Sequence, residues 1–343
     1  MRKVNRRIIV AERPRYIIPT ANVFSLSEAL APEPGAGEIL VRTTWAGVDS
    51  YLYRRVQQVS SLGESIPIGG VMAGATVGRV EQSNHPDFRE GELVHGAWGW
   101  QDYHVSNGGD IAKVDPDLPR PSYLLGALGV SGFGAYIAVT ELTRTQAGEV
   151  LTIGSALGGL GQIVGQLGKL KGALVLAGAS GPEKCRYALE QYRFDVCLDR
   201  KSKDFLTQVK AVYSKYGIDC YVMAAGGKVL DVALPYFRRN ARIAVCGMMA
   251  TYGQSELPPG GDRTGLLLNE IIVRRLRISG LVTTDWLGTA LHQQFKKEMK
   301  DWILSGRIKP LEHVVEGLEH APDMMQGLFE GKNFGKVVVH VAD

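Results

Sequence analysis

The sequence predicts an α/β protein in two parts, a β-rich domain and a doubly wound parallel sheet with helices on both faces. From residue 150 onward, strand-length apolar runs alternate with amphipathic helical patterns at the rhythm of βαβ units. Before residue 120 the strand-like runs are short and set among prolines and glycines, as in a compact β domain. At the head of the alternating part a short apolar run breaks into a glycine-rich turn, Glu-Val-Leu-Thr-Ile-Gly-Ser-Ala-Leu-Gly-Gly-Leu-Gly over 149–161.

In the first part the strand-like runs are 7–12, 39–43, 75–80, 92–97 and 103–105. A long apolar stretch interrupted by glycines, 122–142, reads as a connector helix between the domains. The second part then gives strands at 150–153, 173–179, 195–198, 219–224, 241–246 and 276–282. Helical patterns fall at 159–170, 203–215, 229–237 and 266–275. Those six strands complete a dinucleotide-binding sheet, so the last strand, 336–341, is expected to return to the first domain. The domain boundaries that follow are 1–128, completed by 305–343, and 129–304.

A strand, a glycine turn and a helix place a pyrophosphate on a helix N-terminus. Glycine is needed there because a Cβ would block the approach of backbone N–H groups to phosphate oxygens. The spacing fits a relaxed dinucleotide fingerprint: Ser155 stands where the first glycine usually sits, followed by Gly158, Gly159, Leu160 and Gly161. An acid at the end of the next strand would bond the adenine ribose hydroxyls and repel a 2′-phosphate. Here that strand ends Ala177-Gly178-Ala179-Ser180, with no carboxylate until Glu183, which favours NADP. Lys184 and Arg200 are the candidate phosphate partners.

At 343 residues the chain holds two cores, and 45% apolar content is ordinary for a globular protein. A net charge of +4, dispersed along the chain, gives no basic stripe for nucleic acid. The basic start, Arg2, Lys3, Arg6 and Arg7, reads as a solvated terminus. No apolar run is long enough to cross a bilayer, no signal-peptide pattern is visible, and the strand at 7–12 follows too closely for a cleaved transit peptide. Cys185, Cys197, Cys220 and Cys246 form no Cys-x-x-Cys pair, against a disulfide scaffold or structural zinc, and suit a reducing cytoplasm.

Several words along the whole chain resemble one family. They include Pro32-Glu33-Pro34-Gly35, Gly37-Glu38-Ile39-Leu40-Val41-Arg42, Val48-Asp49-Ser50-Tyr51, Gly69-Gly70-Val71-Met72 and Gly126-Ala127-Leu128-Gly129. Further on come 165–172, Cys246-Gly247 leading to Thr251-Tyr252, Leu257-Pro258-Pro259, and Gly331-Lys332-Asn333-Phe334-Gly335-Lys336. The chain resembles the medium-chain dehydrogenase/reductases, specifically the zinc-independent branch of prostaglandin reductases, bacterial curcumin reductase and plant alkenal double-bond reductases. The zinc enzymes' Gly-His-Glu segment is represented by Gly70-Val71-Met72, and no cysteine precedes Cys185.

The resemblance implies a Rossmann domain beside a GroES-like domain, homodimerism, and NADPH-dependent reduction of the C=C bond of an α,β-unsaturated ketone or aldehyde. Hydride would go to the β-carbon, and Tyr252 would donate to the carbonyl oxygen as enolate charge collects there. Asn333 would reach the cofactor from the C-terminal segment, and Ser180, Ala225, Gly226, Cys246 and Gly247 join the cofactor set. Tyr51, Trp98, Trp100 and Tyr103 are candidates for the pocket wall, and the loops 51–64 and 250–264 would shape the substrate side. Three departures stand out: Ala224 replaces a family Asn, Asp49-Ser50-Tyr51-Leu52-Tyr53 replaces Asp-Pro-Tyr-Met-Arg, and Arg200 stands where Tyr is common. Two other functions stay open on sequence alone, a reductase of a quinone, carbonyl or imine, and an NADPH-binding protein without turnover.

Overall fold

The structure is a computed structural model describing residues 3–14, 20–58, 63–252 and 264–343. The chain forms two compact units, 1–126 with 312–343, and 127–311.

The first unit opens with strand β1 (Val4–Val10) paired antiparallel to β2 (Phe24–Leu30), Val4 opposite Leu30 and Val10 opposite Phe24. β3 (Ile39–Gly47), β4 (Thr76–Ser83), β5 (Leu93–Gly96), β6 (Tyr103–Ser106) and β7 (Ile111–Lys113) follow. β3 is the hub, pairing antiparallel with both β4 and β6. Ile39, Val41, Val80, Val94 and Trp98 pack into one core of this unit. The expected connector helix over 122–142 is broken in two. A short 3₁₀ turn, Pro121–Leu125, stops at Gly126, and α1 (Val130–Ile137) starts afresh and loosens into a π turn, Ala138–Leu142. Gly126 holds φ −141° and ψ −94°, a conformation outside the helical region.

The second unit is a six-stranded parallel sheet of β8 (Val150–Ile153), β9 (Leu174–Ala179), β10 (Val196–Asp199), β11 (Ile218–Met223), β12 (Phe237–Val245) and β13 (Arg277–Gly280). Its order is β10-β9-β8-β11-β12-β13. The chain starts mid-sheet, winds outward one way, then returns to wind the other, so a crevice opens at the carboxyl ends between β8 and β11. Every residue of β8 is buried, as a central parallel strand requires. The helices are α2 (Gly161–Leu170), α3 (Pro182–Glu190), α4 (Phe205–Tyr216), α5 (Lys228–Ala233), α6 (Thr264–Arg274) and α7 (Ala290–Leu304). α5 stops short of the expected Phe237: Pro235 cannot supply a helical N–H, and Phe237 begins β12 instead.

Beyond α7 the chain enters β14 (Glu312–Glu316), crosses through α8 (Ala321–Glu330) and ends in β15 (Lys336–His340). β14 and β15 pair in parallel, and β15 pairs antiparallel with β3, Val338 opposite Gly47. The return of the last strand to the first unit is thus as expected, while β14 was not foreseen. Residues 305–311, expected with the β-rich domain, belong to the second unit. Two buried glutamines of α2 hold them there. Gln162 donates to the Leu311 carbonyl (2.9 Å) and accepts the Leu311 N–H (2.7 Å) and the Tyr192 hydroxyl (3.0 Å). Gln166 donates to the Lys309 carbonyl (3.3 Å) and accepts the Lys309 N–H (2.8 Å). Gln162→Leu strands three such groups at once, and the expected loss is about 3 kcal/mol of unfolding free energy by urea titration; an unchanged midpoint would remove the glutamines from the fold's support.

Candidate active site

The carboxyl ends of β8 to β12 gather most of the residues singled out in the sequence. After Ile153 the chain turns through 154–160, and the Ala156 N–H donates to the Gly178 carbonyl (2.8 Å), pinning the turn to β9. A Cβ on Gly161 would stand 1.7 Å from the Ser155 carbonyl oxygen, and one on Gly158 would stand 3.0 Å from the Ser155 hydroxyl. The chain itself therefore requires Gly161. Gly154 is different: a Cβ there meets nothing within 4 Å and would enter the open cavity that Gly154 lines. At the start of α2 the Gln162 N–H donates to the Gly158 carbonyl (3.1 Å) and the Ile163 N–H to the Leu160 carbonyl (3.1 Å), and no side chain caps the helix. A glycine turn, an uncapped helix start and a cavity open beside it fit a pyrophosphate.

The second corner is cationic. Ser180, just past β9, accepts a hydrogen bond from the Arg200 guanidinium (3.0 Å), whose Nε is buried and finds no acceptor. Gly181, at φ +108°, turns the chain into α3, and Lys184 lies in that helix's first turn. Burial, then the neighbouring charges of Arg200 and Lys201, pull the Lys184 ammonium below its ordinary pKa. Burial likewise lowers Arg200. Cations crowded against each other, one with an unsatisfied N–H, form a place where a phosphate dianion relieves strain. The carboxylate of Asp199 is already engaged, accepting the N–H groups of Gly181 (2.7 Å) and Lys201 (2.9 Å). Asp199 and Lys201 were not singled out in the sequence; the run Asp199-Arg200-Lys201 at a strand end was the available signal. The cavity between these corners is walled by Ala177, Gly178, Arg200, Ala224 and Gly226 over an apolar floor that includes Val209, suited to a flat heterocycle.

Across the crevice two loops are joined through their backbones. Cys246 and Gly247 donate to the Met223 carbonyl (2.8 and 3.1 Å), and Ala250 donates to the Ala225 carbonyl (2.9 Å). Gly226, at φ +71°, lies under the Met248 side chain, which a Cβ would strike at 2.8 Å. Ala224 keeps this loop in place with its carbonyl, accepting from Met249 (3.3 Å), so the side chain lost relative to the family is not needed for the loop's path. Burial pushes the Cys246 thiol up to about 12, which keeps it neutral. Tyr252 is 8% exposed, and its phenol oxygen accepts the Met248 N–H (3.3 Å). That oxygen stands 2.7 Å from where a Cβ on Gly247 would be, so Gly247 makes room for it. An accepting phenol is a better donor through its own O–H.

The remaining candidates belong to the first unit. Asn333 donates to the Gly335 carbonyl (2.7 Å). Tyr51 lies in a short helical turn, Ser50–Val56, where burial and the Asp49 charge hold its phenol well above its ordinary pKa, hence protonated. The three other pocket-wall candidates are packed into the β-rich unit. Trp98 is part of the sheet core, donating to the Thr43 hydroxyl (2.8 Å) and stacked on His104. Trp100 is fully buried, with its indole N–H on the Gly47 carbonyl (3.0 Å). Tyr103 is buried on β6, its backbone held at both ends by Asn5. Aromatic residues satisfy burial in a β core first, and all three are buried here. Within the substrate loops, 59–62 and 253–263 lie outside the described residues. Among the described residues no three His, Cys, Asp or Glu side chains are grouped to hold a metal ion.

A doubly wound sheet with a glycine turn after its first strand, joined in sequence to a β-rich domain completed by the C-terminal strands, defines a dinucleotide-dependent oxidoreductase. The chain belongs to the medium-chain dehydrogenase/reductase family. Residues 6–114 match the N-terminal domain of oxidoreductases, and 159–305 match a family described as zinc-binding dehydrogenase. The chain is 43% identical to the NADPH-dependent curcumin reductase of Escherichia coli over 98% of this chain and 97% of that one. It is 33% identical to prostaglandin reductase 1 of Bos taurus over 94% of each chain. The crystal structure of CurA from Vibrio vulnificus in complex with NADPH superposes with a TM-score of 0.93 at 39% identity, over 98% of this chain and 99% of that one.

The two glycines of the turn separate folding from binding. Gly161→Ala is expected to lower the melting temperature by several degrees, because Ser155 must be displaced. Gly154→Ala is expected to leave it unchanged while weakening nucleotide binding in a fluorescence titration; equal thermal loss in both variants would contradict the assignment.

Proposed function

We propose that this protein, an NADPH-dependent oxidoreductase, reduces the C=C bond of an α,β-unsaturated ketone or aldehyde, with Tyr252 as the donor to the carbonyl oxygen. The observation that carries the reading is the placement of a buried, hydrogen-bonded phenol at the end of β12, on the sheet edge where the nucleotide corners lie. The relatives named for reduction of curcumin, prostaglandins and, in Nicotiana tabacum, 2-alkenals support the substrate class. NADPH, when bound, supplies the hydride to the β-carbon.

The chain's own residues do the rest. The α2 N-terminus and the turn 155–161 hold the pyrophosphate; Ser180, Lys184 and Arg200 hold the 2′-phosphate. Ala225, Gly226, Cys246 and Gly247 bring backbone close to the nicotinamide side, and Asn333 is the further cofactor contact that the resemblance implies. As electron density moves onto the carbonyl oxygen, the Tyr252 O–H bond shortens its contact with that oxygen and stabilises the enolate more than the ground state. A neutral phenol suits this because it donates at pH 7 without ionising. The enolate α-carbon takes its proton from solvent, and no side chain with a shifted pKa is needed.

The protein works as a homodimer in the cytoplasm on this reading. β13 is an edge strand, and Leu266, Leu268, Ile272 and Val273 on α6 and Ile278 on β13 present apolar surface, Ile272 at 74% exposure. All four cysteines are free thiols, in keeping with a reducing compartment, and among the described residues no helix is long and apolar enough to cross a membrane.

Tyr252→Phe is the direct test of the donor. The expected result is a fall in kcat of about tenfold or more on an enone with NADPH affinity nearly unchanged, from steady-state kinetics and cofactor titration. An unaltered kcat would end the role assigned to the phenol.

A further inference from the structure

We infer that Cys185 and Cys197 form a redox site, a thiol pair that a small peroxide converts into a reversible disulfide beside the cationic corner. Cys185 is in α3 and Cys197 in β10, and their sulfurs are 3.0 Å apart, the Cys197 thiol donating to the Cys185 sulfur. A disulfide is about 2.05 Å long, so bonding needs only about 1 Å of approach between a helix and the strand it packs on. The other two thiols have no such partner. Cys246 faces the Ala244 carbonyl (3.9 Å), and Cys220 faces the Thr143 carbonyl (3.8 Å) and the Glu149 carboxylate (3.5 Å).

The pair is also differentiated. The hydrogen bond from Cys197 lowers the Cys185 thiol below its ordinary pKa, while the same bond and burial raise Cys197. Cys185 is thus the nucleophile. Its thiolate attacks one peroxide oxygen; the O–O bond breaks, and the alkoxide or hydroxide released leaves as alcohol or water, giving a sulfenic acid on Cys185. The Cys197 thiol then gives up its proton, and its sulfur attacks Cys185. The S–S bond forms as the S–O bond breaks, hydroxide leaves with that proton as water, and the two thiols have given two electrons to the peroxide.

The position gives the bond a consequence, which rests on reading this corner as the 2′-phosphate site. Lys184 immediately precedes Cys185, and Arg200 follows Cys197 by three residues. Asp199, between them, anchors the Gly181 N–H at the head of α3. A disulfide therefore draws together the two elements that carry the phosphate's cations and alters the gap that the phosphate must fill.

The test uses the full-length reduced protein, a small excess of hydrogen peroxide, alkylation and peptide mass mapping, followed by NADPH and NADH titrations. The expected result is one crosslinked peptide joining Cys185 to Cys197, lighter by two hydrogens, reversed by dithiothreitol and absent in Cys185→Ser and Cys197→Ser. The oxidised protein is expected to bind NADPH severalfold more weakly with NADH affinity unchanged. If both thiols remain alkylatable, or either goes to sulfinic acid without a crosslink, the redox site is overturned. If the crosslink forms but the NADPH to NADH ratio stays fixed, in a protein where Lys184→Ala weakens NADPH more than NADH, the coupling is overturned. If Lys184→Ala weakens both cofactors equally, the phosphate reading fails and the mass map alone decides the thiol pair.

Discussion

The site depends on how closely α2 lies against the sheet. Gly165 has no room for a Cβ beside the Phe194 ring (2.1 Å), nor Gly168 beside Leu151 (2.6 Å), nor Gly161 beside the Ser155 carbonyl (1.7 Å). Three glycines at turn-like spacing lower the helix onto β8 and β9 and bring its start to the crevice. Glycine costs about 1 kcal/mol in a helix interior relative to alanine, so the close approach offsets an intrinsic penalty. Gln162 and Gln166, on the same helix, then hold 309–311 through their amides, so the helix that follows the glycine turn also fixes the end of its domain.

The polar groups divide by task. Charge is concentrated at the head of α3: burial, then Arg200 and Lys201, hold Lys184 below its ordinary pKa, and the neighbouring acid, Asp199, is occupied by two backbone N–H groups. At the end of β12 burial dominates instead. Tyr252 is buried on a backbone donor, and Cys246 is held as a thiol by burial. A fixed neutral donor serves a developing enolate without the reorganisation that a mobile charge would require.

The alternating half of the fold was legible because a parallel sheet covered on both faces leaves an unbroken apolar signature, as in Val150–Ile153. The glycine turn after β8 was legible for a related reason: Gly161 is required by the close approach of the Ser155 carbonyl, a constraint that short spacing preserves. What escaped notice depends on pairing between distant segments. β2 carries exposed Leu26 and Leu30, so its alternation does not look like a core strand. β14 is a strand only because β15 lies beside it. An aromatic residue in the sequence carries no mark of which way its ring turns; for Trp98 and Trp100 the indole hydrogen bonds to Thr43 and Gly47 decide that. Asp199 escaped because its role is to accept N–H groups from two loops that meet only in the fold.

The central claim is that the reaction occurs at a carbon–carbon bond with charge collected on the neighbouring oxygen. It is tested most directly by reducing an α,β-unsaturated ketone with NADPH deuterated at the transferred position of nicotinamide C4 and locating the label by NMR. The account requires a saturated ketone with deuterium on the β-carbon and a solvent-derived proton on the α-carbon. An allylic alcohol with deuterium on the former carbonyl carbon would contradict it.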